Sequence, residues 1–189
     1  MRILLLPLHY GCMQSSYRRL PHHYAICRTT ICHIPSARQS ANRVFPSGRL
    51  SSGKAFACLD RLLDEQRAGP AYLRMPAIAE VVADAIGQGT ASDYLLHAWV
   101  VMPNHVHLLI TPQVEVPALL RRVKGASARE SNKLLGQTGR PFWQDESYDR
   151  LVRNDREFDR IRSYIENNPV TACLAARPEE YVWSSAGAT

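Results

Sequence analysis

The sequence predicts an α+β domain in which helices pack on a sheet built around one hairpin. Three observations lead there. Tyr94 to Pro112, YLLHAWVVMPNHVHLLITP, reads as two apolar arms joined at Met102–Pro103–Asn104, which is turn chemistry between two strands. Apolar residues recur at helical spacing on both sides of that hairpin, over 54–68, 76–86, 116–135 and 154–168. With 189 residues, 46% of them hydrophobic and 21% charged, the chain can bury a real core.

The elements follow in order. Residues 1–55 mix His, Arg, Cys, Pro and Ser without a sustained period. Within them Ala25 to Ile34 has a loose alternation that fits a strand, and Pro35 to Gly53 has the composition of a loop or a disordered arm. Lys54 to Ala68 places Phe56, Leu59, Leu62 and Leu63 at helical spacing, and Gly69–Pro70 stops it. Pro76 to Ile86 is a second helix, with Pro76 in its first turn and Ile78, Val81, Val82 and Ile86 inward. After the hairpin, Val116 to Leu135 is a long basic helix with Leu119, Leu120, Val123 and Leu134 as its core contacts. Phe142 to Val152 is aromatic and extended. Asn154 to Asn168 is the last helix: Asn154 caps it, Glu157 takes the capping-box place, Phe158, Ile161 and Ile165 form its stripe, and Pro169 ends it.

Net charge is +6 and the pI about 9.3, which favours an anionic partner, nucleic acid first. The five cysteines, Cys12, Cys27, Cys32, Cys58 and Cys173, include no C-x-x-C pair. That argues against a disulfide framework and a cysteine zinc site, and for a reducing compartment. The apolar run in Met1 to Leu8 is broken by Pro7, too short for a signal-peptide core, and no segment is long enough to span a bilayer. A soluble, cytoplasmic protein with no membrane partner is expected.

Residues on a strand alternate faces, so His105 and His107 point the same way. Tyr164 and Asn168 lie one helical turn apart on one face. Imidazole nitrogens and an amide oxygen suit Mn²⁺, or Mg²⁺ where a phosphate shares the shell. Beside a phosphodiester, such an ion draws charge from the phosphate oxygens. A tyrosine held in line could then attack phosphorus. Its phenol pKa of about 10 makes a nearby cation useful in forming the phenolate. Each residue also has a plainer reading. The histidines can be satisfied structural groups, Tyr164 a packing tyrosine, and Asn168 a helix-closing residue before Pro169. Tyr148 is the rival nucleophile, His97 reads as structural and Glu166 as solvated. Arg121, Arg122, Lys124, Arg129 and Lys133 form either a solvated face or a set of phosphate contacts. Lys124 and Arg129 come first among them, because they flank the small residues Gly125–Ala126–Ser127.

AWVVMPNHVHLLI resembles the His-hydrophobic-His signature of the single-tyrosine (Y1) transposases of the IS200/IS605 type, members of the HUH superfamily. RSYIENNPVTACLAARPEEYVWSSA and FWQDESYDRLVRN resemble their relatives, the REP-associated tyrosine transposases. The similarity covers about residues 70–186. It implies a ferredoxin-like antiparallel sheet with helices packed on it. It implies His105 and His107 as paired metal ligands, Asn168 as the third, Tyr164 as the nucleophile, and Mg²⁺ or Mn²⁺ as cofactor. The activity implied is cleavage of single-stranded DNA near a hairpin through a 5′-phosphotyrosine link. The implied partners are single-stranded and hairpin DNA of REP-like palindromes, met by a monomer or a homodimer, with Lys124, Arg129, Arg121 and Arg122 as DNA contacts. The organisation expected is an N-terminal segment over 1–55, a Y1-like catalytic domain over 56–175 and a tail over 176–189. Family members open on an aromatic-rich strand, which Ile26 to Ile34 matches poorly. Whether residues 24–34 lie as a strand beside Val106 to Ile110 therefore decides whether the sheet behind the site is complete. Without it, the alternative is a catalytically inactive relative that binds hairpin DNA. A small-molecule metalloenzyme is a third reading, disfavoured by the basic helix.

Overall fold

A computed structural model describes residues 2–5, 25–31 and 71–187, leaving out the side chains of 2–5, 25–31, 145, 146 and 148–150. The predicted loop over 35–53 and helix over 54–68 lie outside these residues. In chain order the described elements are β1 (Arg2–Leu5), β2 (Ala25–Ile31), α1 (Pro76–Gln88), β3 (Tyr94–Val101), β4 (His105–Pro112), α2 (Val116–Leu134), β5 (Trp143–Leu151) and α3 (Asp155–Thr171).

The strands form one sheet in the order β1-β5-β2-β4-β3. From β5 to β3 every neighbouring pair is antiparallel, which is the ferredoxin-like arrangement. β1 adds to the far edge, antiparallel to β5 and parallel to the first residues of β2. The strand predicted over 25–34 is therefore present as β2. It lies between β4 and β5, with Thr30 opposite His105, so the sheet behind the histidines is continuous.

Alternation divides the hairpin between two cores. Val101, Val106, Leu108 and Ile110 face one side, where they meet α1, α2, Phe142 and Trp143. Ala98, Val100, Met102 and Leu109 face the other, where Ile161 and Ile165 of α3 cover them. His105 to Ile110 are all buried, as expected of a strand with helices on both faces.

α1 buries Ile78, Ala79, Val82, Ala85 and Ile86. Beyond its end the fully buried Tyr94 passes beneath the chain and donates its hydroxyl to the Ile86 carbonyl. A Cβ on Gly89 would lie 2.5 Å from the Tyr94 ring. Gly89→Ala should therefore destabilise the fold by about 1–3 kcal/mol through overpacking. A urea midpoint equal to wild type would show that Tyr94 can move aside.

α2 buries Leu119, Val123, Ser127, Ser131 and Asn132. Leu134, expected in the core, is instead 59% exposed. The helix ends there, and Leu135 at its C-cap packs against the core in its place. The polar residues on the buried face have structural work. Ser127 accepts from the Trp143 indole at 2.9 Å and donates to the Val123 carbonyl at 2.7 Å. Asn132 donates to the Arg140 carbonyl at 2.7 Å, tying the turn after α2 to the helix.

α3 opens as its sequence predicts. The Asn154 side chain accepts from the Glu157 amide at 2.9 Å, while the Glu157 carboxylate accepts from the Arg153 amide at 2.9 Å. Its end differs from expectation. Pro169 does not stop the helix, which runs on to Thr171. Proline removes its own amide donor, but its carbonyl still accepts from the Leu174 amide, and Asn168 accepts from Ala172. The last turn thus closes around it. Beyond α3 the chain returns along the outer edge of β3. The Trp183 carbonyl accepts from Val101, the Ser185 amide donates to Trp99, and Val100 bridges antiparallel to Ser184. An edge that would otherwise show open backbone groups is covered.

Candidate active site

The tight turn at Met102–Asn104, closed by the Met102 amide donating to the His105 carbonyl at 2.8 Å, aims β4 so that His105 and His107 both face α3. Both imidazoles are fully buried. Their rings meet edge to face with centroids 4.8 Å apart, and their Nε2 atoms are 3.0 Å apart. Two nitrogen ligands at right angles, each 2.0–2.1 Å from one ion, would also be about 3.0 Å apart. The pair is thus spaced both for a mutual hydrogen bond and for sharing an ion.

α3 supplies the other half. Asn168, 2% exposed, brings its Nδ2 to 3.4 Å from His107 Nε2, and a half-turn of the amide sets Oδ1 in that place. Tyr164, half-buried at the edge of the Ile161–Ile165 stripe, lies edge to face with His107 at a centroid distance of 6.1 Å. Three of the four groups are deeply buried, and Tyr164 is the one that is partly exposed. Among the described residues, no three or more His, Cys, Asp or Glu gather where they could hold a metal ion. Beside the histidine pair stands the Asn168 amide, whose oxygen is a donor of the kind a hard divalent ion accepts.

One participant lies outside the predicted set. Asn104 Oδ1 accepts from His105 Nδ1 at 2.7 Å. In the tautomer that carries its proton on Nδ1, His105 would present the Nε2 lone pair toward His107. The signal was in the sequence, an asparagine directly before the first histidine, but it read there only as turn chemistry.

The remaining candidates separate by position. His97 contacts Thr111 Oγ1 at 2.8 Å and the Phe158 ring edge-on at 5.2 Å. Burial, with Arg162 nearby, lowers its pKa below the usual histidine value, as suits a neutral structural imidazole. Tyr148 lies on β5 opposite Arg28, and its side chain is outside the described residues. Glu166 pairs with Arg162 at 3.0 Å. Among the basic residues, Arg122 forms an ion pair with the buried Asp93, so α2 uses it to hold the loop before β3. Lys133 pairs with Glu130 at 3.0 Å. Lys124 donates to the Gln144 carbonyl at 2.7 Å. Arg121 and Arg129 are exposed.

Residues 78–168 match the family described as transposase, IS200-like. Among curated proteins, the ISDra2 transposase TnpA of Deinococcus radiodurans is 37% identical over 73 residues, covering 35% of this chain and 52% of that protein. The chain thus spans about half the length of that relative. Among solved structures, a REP-associated tyrosine transposase bound to a REP hairpin matches with a TM-score of 0.53 and 14% identity, over 91% of this chain and 82% of that one. That match is one of fold. No helix among the described residues is long and apolar enough to cross a membrane.

Proposed function

We propose, from the premise that over residues 78–168 the chain belongs to the IS200-like Y1 transposase family, that it cuts single-stranded DNA beside a hairpin by transesterification onto Tyr164. The observation that carries this reading is the meeting of Tyr164 and Asn168 with His105 and His107 across the gap between α3 and β4. The phenol oxygen attacks phosphorus, the bond from phosphorus to the 3′ oxygen breaks, and the proton lost by Tyr164 is balanced by one gained at that 3′ oxygen. The products are a 5′-phosphotyrosine and a 3′-hydroxyl. The link keeps the energy of the broken bond, so the strand can be rejoined to another end.

His105, His107 and Asn168 would hold a divalent ion, Mg²⁺ or Mn²⁺, which when bound supplies positive charge to the phosphate oxygens. These three side chains carry no negative charge of their own. A phosphate is then a fitting fourth partner, which favours a nucleic-acid substrate over a neutral small molecule. Asn104 would keep His105 in the ligating tautomer. Asn104→Ala should weaken Mn²⁺ binding by about 10–100-fold, measured by titration calorimetry without DNA. Asn104→Asp, which keeps an acceptor, should restore it; equal affinities in all three proteins would remove that role.

The partner is single-stranded DNA adjoining a hairpin of the REP palindrome class. The test is incubation of the protein with a 5′-extended hairpin oligonucleotide and Mn²⁺, followed by a denaturing gel and mass mapping of any adduct. A DNA-bound peptide containing Tyr164 is the expected result. Hairpin binding without an adduct under any divalent ion would identify an inactive relative instead.

A further inference from the structure

A groove of about 590 Å³ runs between α2 and the start of β5, on the face of the sheet away from the histidines. Leu120, Phe142 and Trp143 line its apolar floor, Arg121, Lys124 and Arg140 stand along it, and none of its described lining residues is acidic. Arg121 and Arg140 are exposed, while the Lys124 amine is fixed by its bond to the Gln144 carbonyl. Gly125 also lines the groove, in the middle of α2. A mid-helix glycine costs about 1 kcal/mol relative to alanine, and here a Cβ would meet nothing within 4 Å. Neither packing nor backbone conformation asks for glycine at this position. An occupant lying close against the helix would.

We infer that this groove holds an unpaired stretch of DNA next to the segment that is cut, an inference resting on the cleavage reading above. Trp143 pairs with Ile31, and the adjacent Thr30 pairs with His105. The start of β5 that lines the groove therefore lies at the same end of the sheet as His105, two strands over, which is about 10 Å along the sheet, with the groove on the opposite face. A strand leaving the site around that end would bring its phosphates to the cationic side chains and its bases against Leu120 and the exposed Pro141, above the buried Phe142 and Trp143. The cavity has small-ligand dimensions, so it suits single bases and not a duplex. Arg140 joins the DNA contacts, and Arg122 leaves them for Asp93.

Fluorescence anisotropy with two oligonucleotides tests this: a blunt hairpin, and the same hairpin with a single-stranded extension. Wild type should bind the extended form about tenfold more tightly. At Gly125→Glu the new Cβ meets nothing within 4 Å, and the side chain sets a carboxylate among the phosphates. The variant should lose that gain while binding the blunt hairpin like wild type and melting at the same temperature. If that variant misfolds, Arg121→Ala with Arg140→Ala carries the test, with a salt slope for the extended form lower by about 1.4. The inference is overturned if wild type gains nothing from the extension, or if both variants keep the gain. Self-association of wild type that Gly125→Glu abolishes would assign the groove to a second copy and overturn it too. An adduct on Tyr164 with the gain unaffected in the variants would sink the groove alone. A gain lost in Gly125→Glu with no adduct in wild type would sink the cleavage reading alone.

Discussion

Tyr164→Phe should bind the extended hairpin as tightly as wild type and yield neither an adduct nor a cut strand, a loss of at least about 10³-fold in cleavage. The substitution removes one oxygen from a half-buried ring. That ring stays packed at the edge of the α3 core and against His107, with centroids 6.1 Å apart in the wild-type protein. Stability should change by no more than about 1 kcal/mol, so lost activity cannot be ascribed to unfolding. Three measurements on one preparation decide it: anisotropy for binding, a thermal melt, and a denaturing gel for the adduct. A Phe variant that still becomes covalently attached would pass the nucleophile role to another residue, and Tyr148 would be tested first.

The hairpin and α3 were legible in the sequence because their patterns are strong. Val106, Leu108, Leu109 and Ile110 put apolar residues on both faces of β4, which marks a strand buried on both sides, and the i, i+2 spacing of His105 and His107 fixed their common side. Asn154 and Glu157 marked the start of α3 through bonds local to one turn. Where tertiary contacts decide, the pattern misled. Leu134 has the spacing of a core residue, but α2 stops at it and Leu135 packs instead. Pro169 has the chemistry of a stop, yet carbonyls on both sides of the missing donor find partners in the turn that follows. β2 was hard to read because it lacks the aromatic residues of its counterparts, and only its pairing with β4 and β5 shows its central place. The gap between α3 and the histidines was legible only through resemblance. Nothing local in residues 164–168 states which strand they will meet.

His107→Gln should separate the binding of a metal from the packing of the core. His107 is fully buried, with Nε2 3.0 Å from His105 Nε2 and 3.4 Å from the Asn168 amide. Truncation to alanine would remove the ring that both groups face, at a cost of about 2–4 kcal/mol from the cavity and lost hydrogen bonding. Glutamine keeps a polar end and much of the volume, so it should cost less than the alanine variant. It does not supply the second imidazole, and Mn²⁺ affinity should fall by more than about 100-fold, beyond the range of an outer-shell change. A ligand at 100 times its dissociation constant stabilises the folded state by about 2.7 kcal/mol. Mn²⁺ at that excess should therefore raise the melting temperature of wild type measurably, while His107→Gln gains no more than about 0.4 kcal/mol. The Asn104→Ala variant should fall between them, because it loosens the tautomer of His105 without removing a ligand. A His107→Gln protein that keeps the full Mn²⁺ shift would place the ion elsewhere in the chain, and the paired imidazoles would then be a hydrogen-bonded element of the core.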